Sequence, residues 1–175
     1  MGGVAPIEGV SILAREMRAV LLARGWDAVE LDTAADYLYT PGISVVHAAQ
    51  AALAAAPITA MHDPTEGGVA TGLLELAMAA KLGLVVDLDA IPVPTLAQRL
   101  CAEFGLDPLG VIASGALLAT CAAEHADAIL AAWRTLGRPG AIVGRFTDDP
   151  ATRRATRGDK AVDFPYFAAD EITRL

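Results

Sequence analysis

The sequence predicts an α/β (α+β) domain in which helices cover a layered mixed sheet, on three observations. Helical and strand-like segments alternate along 175 residues, the strand-like runs are short, and no fixed-period repeat is present. Hydrophobic residues make up 54% of the chain and aromatic residues only 5%, an alanine-rich composition that folds rather than stays disordered. The length suits one domain with a sizeable core.

Taken in order, Gly9 to Arg24 reads as a short apolar segment, "GVSILA", running into a helix that ends near Gly25. From Trp26 to Thr40 the pattern is ambiguous, with a polar helix around Ala34 to Leu38. Pro41 and Gly42 break the chain, and Ile43 to Ala56 then has helical spacing, with Val45, Val46, Ala49 and Leu53 on one face. "PITAMH" reads as a short buried strand. The helix from Gly67 to Ala80 has apolar stripes on two sides, Val69, Leu73, Leu76 and Ala80 on one and Leu74 and Met78 on the other, so burial in the middle of the domain is expected. "LGLVVDLD" is a strand ending in carboxylates, "IPVP" opens a helix from about Thr95 to Phe104, and "SGALLATCA" is a strand. Ala123 to Leu136 is a helix with Ala126, Ile129, Leu130 and Trp133 inward, and "GAIVGRFT" is a further strand. Residues 151–175 form a polar hairpin and tail of the domain made by residues 1–150, with "RGDK" as the turn.

A formal net charge of −8 argues against general binding to nucleic acid or an acidic membrane. Cys101 and Cys121 stand twenty residues apart with no second pair, so neither a zinc motif nor a disulfide framework is predicted and each reads as a buried thiol. No stretch is long and apolar enough to span a bilayer, and "MGGVAPIEGVSILARE" has no basic segment ahead of an apolar one. A cytoplasmic location is expected.

The segment "MHDPTEGGVATGLLELAMAA", Met61 to Ala80, carries the clearest chemistry. Asp63, Pro64 and Thr65 form a turn, with Thr65 as the expected N-cap, and Gly67 and Gly68 open the helix. Glycines there leave the first-turn N–H groups open to an incoming anion, which the helix dipole favours. The spacing is neither that of a P-loop nor G-x-G-x-x-G. Close helix–sheet packing is the alternative use of the two glycines. Asp63 and Glu66 beside such a seat imply Mg²⁺, a ribose or a cationic substrate. His62 is a weak candidate for general acid or base, set against a hydrogen-bonded structural histidine. His47 and His125 are expected at the surface, Asp87 and Asp89 read as solvated strand-end carboxylates, and "TRRATRGDK" as a solvated hairpin.

"HDPTEGGVATGLLELA" resembles the C-terminal-domain motif of the aminoimidazole ribonucleotide (AIR) synthase superfamily. That superfamily includes the purine-pathway cyclo-ligase, formylglycinamidine ribonucleotide synthase, selenophosphate synthetase, thiamine-monophosphate kinase and the hydrogenase-maturation protein that dehydrates a carbamoyl group. The nearest pattern is that of the AIR synthase-related and hydrogenase-maturation branch. "IEGVSILARE", "GLVVDLDAIPV", "LGLDPLGVIASGALLAT" and "AIVGRFTD" extend the resemblance, in the same order, over about residues 7 to 148.

The resemblance implies an α/β C-terminal domain, partly ferredoxin-like, and chemistry in which ATP with Mg²⁺ phosphorylates a substrate oxygen. It places Asp63, Thr65, Gly67, Gly68, Ser114 and Gly115 at a nucleotide- or substrate-binding cleft, with Ser114 also readable as a satisfied strand hydroxyl. It places the metal ligands in an N-terminal ATP-binding domain, whose glycine–aspartate motif this sequence lacks, and implies a homodimer for the complete enzyme. The chain also ends "DEITRL", without the cysteine-bearing tail that takes the carbamoyl group. The expectation is therefore one half of an ATP-dependent enzyme, inactive alone. The alternative is a binding or assembly module that kept the fold without the chemistry.

Overall fold

The computed structural model describes residues 1–175. The chain begins in a helical layer: α1 (Ile7–Glu16), α2 (Arg18–Ala23), α3 (Ala28–Ala35) and, later in sequence, α6 (Thr95–Glu103). Val10, Leu13 and Ala14 recur at helical spacing on α1 and meet Leu21, Leu31, Ala34, Leu100 and Cys101 in one buried cluster. The expected single helix to Gly25 starts earlier and breaks at Met17, because Ile7 already belongs to the apolar stripe. The helix expected around Ala34 to Leu38 runs instead from Ala28, where the Asp27 carboxylate accepts from the amides of Val29 and Glu30 at 2.8 and 3.1 Å.

The sheet is built in two parts. Strand β1 (Ala60–His62) pairs antiparallel with β3 (Leu118–Thr120). The other part has the order β4 (Gly144–Thr147), β2 (Gly83–Asp87), β5 (Arg153–Arg157), β6 (Lys160–Asp163), antiparallel except for β2 with β5. Gly2 bridges Leu117 on one side and Gly140 on the other, so the first residues begin to join the two parts. The β5–β6 turn is held by the Gly158 amide, which donates to Asp89 at 2.5 Å, while Asp87 accepts from the Asp89 amide at 3.0 Å.

Helices lie on both faces. Helix α5 (Gly68–Ala80) packs Val69, Leu73 and Ala77 with Met1, Leu84, Val86 and Leu118. On the other face, α4 (Val46–Ala55) and α7 (Ala126–Thr135) enclose Leu117, Ile129 and Trp133. Here the expected inner face of α4 is corrected. Ala48 and Ala52 are buried, while Val46 is 57% and Leu53 62% exposed. The Trp133 indole needs small residues opposite it, and its Nε1 donates to the Ala48 carbonyl at 2.9 Å.

Three other expectations shift. Ala60–His62 is a half-exposed strand, not a buried one. Met78 is 62% exposed, so only one stripe of α5 is deeply buried. The run "SGALLATCA" is a strand only over Leu118–Thr120, because Gly115 turns with φ +99°. No helix is long and apolar enough to cross a membrane.

Trp133→Phe removes the indole donor and leaves the Ala48 carbonyl without it. An unfolding free energy lower by about 1–3 kcal/mol is expected in urea denaturation; an unchanged midpoint would show that this contact does not hold α4 in place. Cys101 is fully buried, and desolvation, with the charges of Asp107 and Glu171, pushes its thiol up to about 12. Iodoacetamide at pH 8 is therefore expected to alkylate Cys121 and spare Cys101, as read by peptide mass spectrometry.

Candidate functional site

The turn after β1 and the turn before β3 come together at the mouth of α5. Gly67 and Gly68 both adopt positive φ, +76° and +66°. A Cβ on Gly68 would meet the carbonyl oxygens of Leu109 and Val111, the latter at 2.7 Å. The glycine therefore does the packing work that the sequence left as an alternative: it lets α5 touch the backbone of the 108–111 segment. The Thr65 carbonyl then accepts from the Gly68 amide at 3.0 Å and from the Ala113 amide at 3.3 Å, joining the two turns directly. Pro64 is buried against Gly72 of α5.

The expected cap is corrected. Thr65 makes no side-chain cap, and Gly67 is the N-cap residue. Its amide donates to Asp170 Oδ2 at 2.7 Å, a buried bond from the C-terminal tail 103 residues away. Asp170 Oδ1 accepts from the Ile172 amide at 3.0 Å, and Glu171 Oε2 accepts from the Asp107 amide at 3.0 Å. Phe167 lies where a Cβ on Gly110 would stand, so the tail is seated across this mouth by packing as well as by hydrogen bonds. Sequence reasoning missed Asp170, because its only signal was an aspartate directly before a short helical turn.

The remaining first-turn donors are unevenly used. Thr71 donates to the Gly67 carbonyl at 3.3 Å, whereas the amides of Val69 and Ala70 donate to no acceptor in the chain. Asp63 is exposed at the rim and makes no side-chain hydrogen bond. The Glu66 carboxyl is held below its ordinary pKa, first by its own backbone amide and then by the Thr65 hydroxyl, so it stays ionised at neutral pH.

Ser114 is half-buried and its hydroxyl makes no hydrogen bond within the protein. Gly115 packs on Ile7, and its carbonyl accepts from Arg138 Nη2. Burial lowers the Arg138 pKa, and its Nε has no partner. Glu8, between two residues that touch the 111–115 segment, has one carboxylate oxygen buried without a partner. His62 faces away from this cluster. Its Nε2 lies 2.6 Å from Glu75 Oε2 on α5, well along the helix from the glycines. No group of three or more His, Cys, Asp or Glu side chains is placed to hold a metal ion.

The family model for the AIR synthase related protein C-terminal domain matches residues 7–155. The chain belongs to that family. Carbamoyl dehydratase HypE of Rhodobacter capsulatus is 35% identical over 181 residues, which cover 99% of this chain and 51% of that protein. The crystal structure of Escherichia coli HypE superposes with a TM-score of 0.72 at 24% identity, over 97% of this chain and 50% of the other. A HypE structure in complex with ATP superposes with a TM-score of 0.65 at 19% identity, again over 97% and 50%. The chain thus has the C-terminal fold of the family and spans about half the length of these relatives.

Asp170→Ala frees the Gly67 amide and removes the cap of α5. Loss of about 1–2 kcal/mol of stability is expected, together with faster hydrogen exchange at Gly67. If both stay at the parent value, the tail does not hold this mouth.

Proposed function

We propose that this chain is the C-terminal, cleft-forming half of an ATP-dependent enzyme that phosphorylates a substrate oxygen. ATP and Mg²⁺ act in the complete enzyme, and the metal is held mainly by the N-terminal half. The observation that carries the reading is the meeting of the Thr65–Gly68 and Ala113–Gly115 turns at a helix mouth with free amides, within the domain that the family shares. The ATP complex of a HypE with the same fold supports the choice of nucleotide.

In this reading Val69 and Ala70 amides face phosphate oxygens, and the Gly67 amide joins them when the Asp170 carboxylate withdraws. A carboxylate and a phosphate oxygen ask for the same donors, so the tail and the anion exclude each other there. Asp63, exposed at the rim, faces the substrate or a magnesium ion brought by the other half. Ser114 offers its unpaired hydroxyl to the substrate. The N-terminal half docks against the apolar surface of Tyr39, Ile43, Val46 and Leu53, all exposed here. The complete enzyme is a homodimer in this reading.

A second reading has one observation of its own. Asp170 fills the Gly67 amide in the chain at rest, as it would in a binding or assembly module that no longer handles anions. Mixing the chain with the N-terminal half of a HypE-type relative decides between the two. Recovered Mg²⁺-dependent ATPase is expected, with Asp63→Asn reducing turnover by about tenfold or more. Tight association without nucleotide turnover would favour the module, and normal turnover in both Asp63→Asn and Ser114→Ala would displace the site from this mouth.

A further inference from the structure

Ser114 and Gly115 stand at the corner of a turn that the Ala116 amide closes on the Ala113 carbonyl at 3.0 Å. The φ of +99° at Gly115 suits the second corner position of a type II turn. One end of the turn is tied to the α5 mouth, where the Ala113 amide donates to the Thr65 carbonyl. The amides of Ser114 and Gly115 donate to no acceptor in the chain, and neither does the Ser114 hydroxyl. Three donors are therefore unused at one corner.

The other end is held by Arg138. Its Nη2 donates to the Gly115 carbonyl, and its Nη1 donates to the Ser44 carbonyl at 3.4 Å. The fork thus bridges the corner and the segment that leads into α4. The two also touch directly, since a Cβ on Gly115 would lie 3.2 Å from the Ile43 Cα. Gly3 leaves room for the guanidinium, because a Cβ there would stand 2.8 Å from Nη2.

The base of the fork is rigid. Helix α7 is capped at Leu136, Gly137 follows with φ +68°, and the amides of Gly137 and Arg138 return to the carbonyls of Arg134 and Trp133, both at 2.9 Å. That paired closure is a Schellman motif, and the Trp133 side chain is buried. The cation itself is costly here. Burial lowers its pKa, its Nε lacks a partner, and no carboxylate forms an ion pair with it. An apolar side chain would fill the place without that cost. It could not grip carbonyls of two separate segments at once.

We infer that Arg138 is a positioning residue that sets the Ser114–Gly115 corner against the segment on which the N-terminal half docks. Ile43 belongs to that docking face, and Ser44 follows it in the chain. Docking therefore bears on the corner through one side chain, and the fork keeps the three donors in place for the substrate. The inference takes the docking half and the substrate from the proposed function. The grip on the corner rests on the hydrogen bonds alone.

The first measurement is amide hydrogen exchange on the full chain. Arg138→Lys keeps the cation and loses the fork, and Arg138→Ala removes both. Each is expected to speed exchange of the Ala116 amide by about tenfold, with the Leu84 and Asp87 amides of β2 staying within about twofold of the parent. If Arg138→Ala does not fold, Arg138→Lys decides. The second measurement uses the mixed halves. Adding the N-terminal half is expected to slow Ala116 exchange by about threefold in the parent and not in Arg138→Lys. Turnover of Arg138→Lys should fall by about tenfold with KM for ATP unchanged, and adding Ser114→Ala to it should lower turnover less than Ser114→Ala does alone.

Ala116 exchange at the parent rate in the variants overturns the grip. Acceleration shared by Leu84 and Asp87 overturns it too, because that marks a residue holding the whole fold. Ala116 protection that ignores the N-terminal half overturns the link to docking, and full additivity of Arg138→Lys with Ser114→Ala overturns the positioning role. Absence of ATPase in every mixture, with Ala116 still protected by the fork, removes the enzymatic reading and leaves the grip standing.

Discussion

The close approach of backbones at Gly68 is the constraint on which the cleft depends. Two carbonyl oxygens, from Leu109 and Val111, occupy the space that any side chain there would need. That contact draws α5 against the 108–111 segment and lets the Thr65 carbonyl reach Ala113. It also leaves α5 beginning with a left-handed residue and without a side-chain cap of its own. The unmet donors of that first turn follow from the geometry, and so does the opening for a distant carboxylate. The approach that requires Gly68 is also what leaves the neighbouring Val69 and Ala70 amides without an acceptor in the chain.

The sequence made the helices with strong stripes legible: α1, α6 and α7 all appear where apolar residues recur at three and four. The turn at Asp63–Gly68 was legible because proline and paired glycine punctuate the chain whatever surrounds them. What escaped was set by partners far away in sequence. Ala48 and Ala52 look like weak core residues until Trp133 is placed opposite them, at which point size matters more than hydrophobicity. Asp170 could not be matched to Gly67 from spacing, since 103 residues separate them. The family domain was readable because its motifs keep their order, not because any one was decisive.

Packing of helices against Leu117 and Leu118 from opposite sides explains the small residues around Trp133. A sheet walled by α5 on one side and by α4 and α7 on the other needs small residues wherever backbone meets ring. Gly2 and Gly140 both lie against Trp133, and Ala48 lies beneath its indole nitrogen. Small residues at these positions follow from that crowding.

The Asp170 carboxylate closes the start of α5. The tail satisfies the α5 mouth from within, by a charge-assisted bond in a buried setting, the stronger kind of hydrogen bond. A phosphate must bring more favourable contacts than one amide to displace Asp170, because the tail is also anchored by Phe167 and Glu171. In the proposed reading the amides of Val69 and Ala70, which donate to no acceptor in the chain, would supply those additional contacts. An anion held first by these two can then draw the Gly67 amide from the carboxylate. In the proposed reading nucleotide arrival and tail release would be one coupled event, each weakening the other's hold by the same free energy.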